Sequence, residues 1–411
     1  MKILVITSSL PRFRGDIAGR FVFEWAQHLR YLGHDLRVFS WADSSVSPDA
    51  APESADFEVL RVPYAPPGYD TLFYGAGTPE NIRQNPWRAL LAAPAVAAMS
   101  VRVLVEIARE RPDIIVGHWL LPAGFLARFL GNLTGIPSLI VGHSGGVHLL
   151  EQLSTGLLEK IGIGQALARF CASGAMTVPT KALADKFAGV LGSAGDSTMI
   201  LPMGFEPARR SLPGQVTPRE DARDHWLCMG RLVEIKGVDL AIEAFCRADF
   251  ARPTTLHIAG DGPERARLEA LARGLRGEGE NTRVEFHGVV SGAAKAALLQ
   301  RCGFALFCSK TLDNGRHEGL PISFLEAASH GAIALCAEIP GLSDYVVTPD
   351  AQTVYTRDIS AWTRAIERLA GSSEQVHRQL SEAQRARVDA LAWPVLIAKW
   401  DALLRTVAVQ R

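Results

Sequence analysis

The sequence has no cysteine in its first 170 residues, and the six that follow, at 171, 228, 246, 302, 308 and 336, include no C-x-x-C pair. A disulfide-stapled module is thereby excluded, and the pattern suits reduced thiols in the cytoplasm. Net charge is missing as well, since 43 Lys and Arg balance 43 Asp and Glu. Wholesale electrostatic binding of nucleic acid is not expected of such a chain. The longest apolar stretch, about Ala89 to Val101, carries Pro94 and meets Arg102, so it falls short of the ~20 residues a membrane-spanning helix needs. The opening Met1-Lys2, followed by Ile3-Leu4-Val5-Ile6, is too brief for a secretory signal and reads as a strand. No low-complexity tract or 20–50-residue repeat is visible, which excludes solenoids and propellers.

What is present is the composition of an ordinary globular protein: 411 residues, 48% hydrophobic and 21% charged. That length exceeds what one core usually organises, so two domains of roughly 200 residues are expected. A strand over Lys2–Thr7, a helix from Arg20 to Leu32 closed by Gly33, and a strand over Leu36–Ser40 make a β-α-β unit. Apolar strands alternate with helical patterns onward through DIIVGHW (113–119), PSLIVGH (137–143), AMTVPT (175–180) and STMILPMG (197–204). Such alternation predicts a parallel sheet covered on both faces. Residues 206–224 hold three prolines, many charges and few apolar residues, the profile of an exposed linker.

The same pattern restarts with HWLCMGR (225–231), TTLHIAGDG (254–262), RVEFHG (283–288), FALFCS (304–309) and AIALCA (332–337). Helices are expected between them, over Val238–Ala248, Glu264–Leu275 and Ile322–His330. The division is therefore residues 1–205, a linker over 206–224, a second α/β domain over 225–392, and a helix over 393–411 long enough to return to the first domain. Two doubly wound domains facing each other would place their strand-end loops along a cleft, where such sheets bind ligands.

Two constellations carry chemistry. Glu318 and Glu326 bracket EGLPISFLE, with the Gly319-Leu320 amides placed before a helix start that can hold hydroxyls or anions. Spacing alone fits equally well two solvated glutamates around a helix cap. GRLVEIKG puts Arg231 just past a strand and Lys236 at a helix start, where two cations can clamp a diphosphate. Either residue taken singly also fits a solvated basic side chain.

Together with GRLVEIKGVDLAIEAF, IAGDGP, RVEFHGVVS, the E-x7-E segment followed by LEAASHG, and GLSDYV, these residues give a resemblance that covers nearly the whole chain. The sequence resembles glycosyltransferase family 4, retaining nucleotide-sugar-dependent transferases of the GT-B fold: two facing Rossmann-like doubly wound domains with a C-terminal crossover helix. The resemblance implies that Arg231 and Lys236 hold the donor diphosphate, Glu326 the ribose hydroxyls, and Glu318 with the Gly319 and Leu320 amides the transferred sugar. The first loop, with Gly15, Asp16 and Gly19, stands where the family has a Gly-rich turn at the donor phosphates, without the common adjacent glycine pair. HWLLPAG (118–124) and VGHSGGVH (141–148) resemble the acceptor-side loops, which offers His118 and His148 to the acceptor and matches His143 to the strand-end histidine of the family. Many members read H-G-x-D where this chain has His143-Ser144-Gly145-Gly146. A histidine after a buried strand is as often packed as reactive, and no tight metal spacing such as H-E-x-x-H is present.

The implied function is transfer of a hexosyl group from a nucleotide-diphosphate sugar to a hydroxyl of a glycan or lipid-linked acceptor, with His143 and Glu318 as the catalytic pair. No cofactor beyond the co-substrate is expected. No Asp-x-Asp occurs, so metal-bridged diphosphate chemistry is not expected either, and Arg231 and Lys236 are left to neutralise the leaving group. A nucleotide-sugar epimerase or hydrolase of the same fold, and a non-catalytic relative, are the alternatives. The expected location is the cytoplasm, with or without peripheral contact at the inner membrane face. Residues 81–111 carry five arginines against two glutamates on a partly apolar stretch with Trp87, which suits either an anionic membrane surface or a core-packing helix with solvated arginines.

Overall fold

The computed structural model describes residues 1–47, 55–75, 77–153, 162–191, 198–207, 221–275, 281–312, 318–339, 342 and 345–409. The chain forms two compact units, one of Met1–Gly204 with Trp393–Arg411, the other of Phe205–Ala392. Most of the linker expected over 206–224, and three residues of GLSDYV, lie outside the described residues.

In the first unit the strands are β1 (Lys2–Thr7), β2 (Asp35–Trp41), β3 (Glu58–Val62), β4 (Ile114–His118), β5 (Ser138–Val141), β6 (Met176–Val178) and β7 (Thr198–Ile200). They pair in parallel in the order β3-β2-β1-β4-β5-β6-β7. Val5 faces Val38 on one side and Val116 on the other. Strand residues point alternately to the two faces, so β1 serves two cores. Ile3 and Val5 pack with Trp25, Leu29 and Trp400. Leu4 and Ile6 pack with Phe39, Met99 and Val103. The order reverses between β1 and β4, which makes the loops after their carboxyl ends the natural ligand position of this sheet.

The helix Trp393–Val409 completes the first of those cores, burying Trp393, Leu396, Trp400 and Leu404 against the helix Arg20–Tyr31. Its polar contacts fix the register: Trp400 Nε1 donates to the Pro202 carbonyl at 3.1 Å, and Trp393 Nε1 donates to Glu24 at 3.1 Å. His34 Nε2 meets Asp401 at 2.8 Å.

The second unit carries β8 (His225–Met229), β9 (Thr254–Ala259), β10 (Thr282–Gly288), β11 (Phe304–Phe307), β12 (Ile333–Ala337) and β13 (Thr353–Val354), parallel in the order β10-β9-β8-β11-β12-β13. Trp226 and Cys228 face one core with Phe245, Leu256 and Trp362. Leu227 and Ala259 face the other, with Phe324 and Val388. Trp226 stacks on Phe304 with centroids 4.3 Å apart.

Strand existence follows the apolar runs, while ends and edges differ. The expected block at 137–143 is a strand only over Ser138–Val141, because the chain turns at Gly142. The edge strand β3, EVLRV, is not among the expected strands. Its Arg61 interrupts the apolar run, and the guanidinium bonds Tyr74 Oη at 2.7 Å. The stretch before β4 also differs, for helical turns run unbroken from Pro86 to Arg109, 24 residues. That run is long and apolar enough to cross a membrane by length and composition, yet Ala95, Met99 and Val103 anchor it on the sheet.

Candidate active site

In the second unit, the loop after β8 carries Arg231, half-buried, and a single 3-10 turn over Glu234–Lys236. Gly237 ends that turn at φ 61, and a Cβ there would stand 1.9 Å from the Cys308 carbonyl oxygen. Only glycine lets the loop press so closely on the end of β11. The consequence is that the Lys236 ammonium donates to Glu318 Oε1, while Ser309 Oγ donates to Glu318 Oε2 at 2.6 Å. Gly319, Leu320 and Pro321 then lead into the helix Ile322–Ser329, which places Glu326 on its second turn. Lys295, from the helix Gly292–Arg301, meets Glu326 Oε1 at 2.5 Å.

Each glutamate of the E-x7-E pair is therefore oriented by a lysine from a different element. Glu318 accepts from one lysine and one serine, and a carboxylate has about four lone-pair sites. The four side chains Lys236, Glu318, Lys295 and Glu326 are only partly exposed, between 14% and 31%. The charges thus sit where water screens them weakly. A further cation, Lys310, lies close by, held to Asp239 at 2.7 Å with its own amide donating to the Ile235 carbonyl at 2.7 Å.

In the first unit, the loop after β1 is folded by Asp16. Its carboxylate accepts from the Arg12 amide at 3.0 Å, from Arg12 Nε at 2.6 Å and from the Ala18 amide at 3.1 Å. Burial opposes the charge, but these donors win and hold the Asp16 carboxyl below the usual carboxylate range. Its carboxylate thus ties Arg12 and Ala18 of its own loop together. Gly15 and Gly19 take φ 90 and 62, and a Cβ on Gly19 would stand 2.2 Å from the Ser9 carbonyl oxygen.

His118 ends β4, and His143 follows β5 across Gly142. Their rings stack at 5.6 Å, with His118 Nδ1 3.3 Å from His143 Nε2. His118 is 0% exposed, with Trp25 edge-on at 4.7 Å, so it touches His143 rather than solvent. His143 keeps part of its surface in solvent, flanked by Phe21 at 5.1 Å and Trp119 at 4.8 Å. Burial pushes the His143 pKa down to about 3 and the His118 pKa well below the usual imidazole value, the latter also through His143. Both rings are neutral at physiological pH. His148 lies on the helix Ser144–Leu153, and its side chain is outside the described residues.

Residues 18–204 match the glycosyl transferase 4-like domain, and residues 223–372 match the glycosyl transferases group 1 domain. The chain belongs to the group 1 glycosyltransferases. Over 330 residues, 77% of this chain and 79% of the relative, it is 26% identical to the GDP-mannose-dependent alpha-(1-6)-phosphatidylinositol dimannoside mannosyltransferase of Mycobacterium tuberculosis. Its fold is that of sucrose-phosphate synthase from Thermosynechococcus elongatus, at TM-score 0.71 and 19% identity over 99% of both chains. HepE of Anabaena, solved in complex with UDP-glucose, matches at TM-score 0.64 and 15% identity, over 99% of this chain and 100% of that one. The fold of this glycosyltransferase is GT-B, built on two parallel α/β sheets.

Motif reading placed Arg231, Lys236, Glu318, Gly319, Leu320 and Glu326 in the second unit, where the structure groups Lys236 with Glu318 and places the others on the adjoining loop and helix. It missed Lys295, Ser309 and Lys310. Lys295 sits alone in GAAKAALLQR, and only the packing of two helices brings it to Glu326. Ser309 directly follows the FALFC strand block, so a polar residue at a strand end was the available signal.

Proposed function

We propose that this group 1 glycosyltransferase moves a hexosyl group from a nucleotide-diphosphate sugar to a hydroxyl of a glycan or lipid-linked acceptor, with retention at the anomeric carbon. The observation that carries the reading is the Lys236–Glu318 pair formed by the loops after β8 and β11, with Arg231 on the first of those loops. As the anomeric C–O bond breaks, negative charge grows on the departing diphosphate. Arg231 and Lys236 are the cations placed to offset it, and the amides at the start of the Ile322–Ser329 helix add their dipole. Glu318, held by Lys236 and Ser309, accepts hydrogen bonds from the sugar hydroxyls and fixes the sugar's orientation. Glu326, steadied by Lys295, takes the ribose hydroxyls.

Attack on the same face as the leaving group, with the departing phosphate assisting deprotonation of the acceptor hydroxyl, accounts for retention without a protein nucleophile. His143, neutral and partly open to solvent, acts as a hydrogen-bonding partner for a hydroxyl rather than as an acid. The donor complex of HepE and the GDP-mannose dependence in the mycobacterial relative's name support a nucleotide-sugar donor. Incubation with radiolabelled UDP-, GDP-, ADP- and dTDP-sugars, with and without lipid-linked acceptors, tests the assignment. Labelled glycan is the expected product; free sugar or an epimer alone would make the protein a hydrolase or epimerase.

We further propose a cytoplasmic location with the first unit resting on an anionic membrane. On the Pro86–Arg109 run the outward residues are apolar, with Trp87, Leu90, Val101 and Val105 exposed, and the exposed arginines Arg83, Arg109 and Arg111 flank them. Glu106 and Glu110, the carboxylates nearby, are both bound to Arg37. An apolar stripe with a basic rim suits the boundary between acyl chains and anionic headgroups.

A further inference from the structure

Outside the donor residues, three histidines on neighbouring strands of the second unit form a hydrogen-bonded row. His225 Nδ1 lies 3.0 Å from His257 Nε2, and His257 Nδ1 lies 2.9 Å from His287 Nε2. Glu285 closes the row, its Oε2 3.5 Å from His257 Nδ1 and 3.9 Å from His287 Nε2. The other carboxylate oxygen of Glu285 is held by Arg283 at 2.9 Å, which turns Oε2 toward the imidazoles. Register explains how His287 gets there. The pairing of β10 with β9 shifts between Phe286 and Gly288, so His287 is the extra residue of a bulge. Bulges re-aim side chains in this way.

We propose that His257, Glu285 and His287 form a binding site for a divalent transition-metal ion of the Zn2+ class, separate from the donor site, that clips the edge strand β10 to β9. Three atoms spaced at 2.9, 3.5 and 3.9 Å have an equidistant point about 2.0 Å from each, the length of a Zn–N or Zn–O bond, roughly 2.0–2.2 Å. Two imidazoles and one carboxylate are a zinc donor set, and imidazole selects Zn, Ni or Cu over Mg or Ca. Glu285 and His287 are each about a third exposed, at 29% and 30%, so an ion has a path from solvent and keeps a coordination position for water.

The rest of the row supplies what a metal-bound imidazole needs. A ligating histidine usually donates its second N–H to an outer partner that fixes its tautomer. As the row stands, Arg301 Nε donates to His225 Nε2 at 3.2 Å, so the N–H bonds run from His225 toward His257 and His287. With the ion on His257 Nδ1 the direction reverses: His257 Nε2–H donates to His225 Nδ1, and His225 Nε2–H turns to Asp221, whose Oδ2 is 3.7 Å away. Arg301 is exposed and free to withdraw into solvent. The row thus has a donor and an acceptor at its far end, one for each state.

The test uses untagged full-length protein stripped with a chelator, then titrated calorimetrically with ZnSO4, and with CoCl2 read by visible absorption. One Zn2+ per chain, a raised Tm and the ligand-field bands of four-coordinate cobalt are expected. His287→Ala and Glu285→Gln, both at partly exposed positions, should weaken Zn2+ binding at least ~100-fold. Asp221→Asn should weaken it about 10-fold, the scale of outer-partner losses. Equal Zn2+ binding by wild type and the His287→Ala/Glu285→Gln double variant, or no binding by wild type at 100-fold molar excess, would overturn the proposal.

Discussion

The ammonium of Lys236 is bonded to Glu318, a residue 82 positions later in the chain. On the proposed function, the cation assigned to the diphosphate and the carboxylate assigned to the sugar are each other's partner. One lysine has three N–H donors, so it can keep Glu318 while binding a phosphate oxygen. The pair is a preassembled corner of the site, and losing either member disturbs the other.

Lys236→Ala and Arg231→Ala should each lower kcat/KM for the donor by about 10²–10³-fold, roughly 2.7–4 kcal/mol of transition-state stabilisation. Lys236→Ala should also impair use of the sugar, since Glu318 loses its cation. Steady-state kinetics at saturating acceptor read this, and unchanged kcat/KM in both variants would remove the two cations from the mechanism.

The Lys295–Glu326 contact at 2.5 Å predicts coupling. Lys295→Met and Glu326→Gln should each raise the donor KM, and the double variant should cost less than the sum by about 0.5–3 kcal/mol. Strict additivity in this cycle would mean the two side chains act on the donor independently.

Replacing His143 by Gln or Ala should lower turnover about 100-fold, within the range for groups that handle protons or orient hydroxyls. With its pKa down near 3, His143 stays neutral, so wild-type kcat should show no limb near pH 6.5 that disappears in His143→Gln. Stability should carry the same signature. The unfolded chain takes up protons on these histidines near pH 6.5 while the folded chain resists. Stabilisation from His118 and His143 is therefore complete above about pH 6.5 and is lost as pH falls toward their lower folded values. Urea midpoints between pH 7.5 and 4.5 should drop less steeply in His143→Gln than in wild type.

Sedimentation with vesicles rich in anionic lipid should pull the protein down at low salt, and Trp87→Ser with Leu90→Ser should release it. Both residues are largely exposed, at 77% and 67%, so folding should be little changed. Equal sedimentation of wild type and the double variant would remove this face from membrane contact.

Trp400→Ala should destabilise the first unit by about 3–5 kcal/mol, the usual loss for a buried tryptophan. It also strips the Pro202 carbonyl of its donor. Limited proteolysis of the full-length variant and wild type over a temperature ramp, following cleavage within the first unit, checks it, and an unchanged melting temperature would remove Trp400 from that unit's core.

The central strands were legible because parallel strands buried on both faces are plain apolar runs, as ILVI and DIIV are. Edge strand β3 was not, because Arg61 supplies a side-chain contact that looks polar in sequence. At the site, Lys236 and Glu318 could be named from their motifs, while their contact depends on Gly237 lying under Cys308 and is a fact of packing. Lys295 and the bulge that aims His287 belong to the same class: single residues whose partners are chosen by helix packing or strand register. The titration of His143 was also beyond the sequence, since its ordinary imidazole value shifts only once Phe21 and Trp119 enclose it.

The helix Trp393–Val409 has a further consequence for biogenesis. Trp25, Val5 and Val116 belong to a core that Trp393, Leu396 and Trp400 help to fill, so the first sheet to leave the ribosome waits for a helix made only after the whole second unit. At roughly 5–20 residues per second, the intervening unit from Phe205 to Ala392 takes on the order of 10–40 s to synthesise. Through that interval one face of the nascent sheet lacks part of its cover, and a premature stop before Trp393 would expose that core to aggregation and proteolysis.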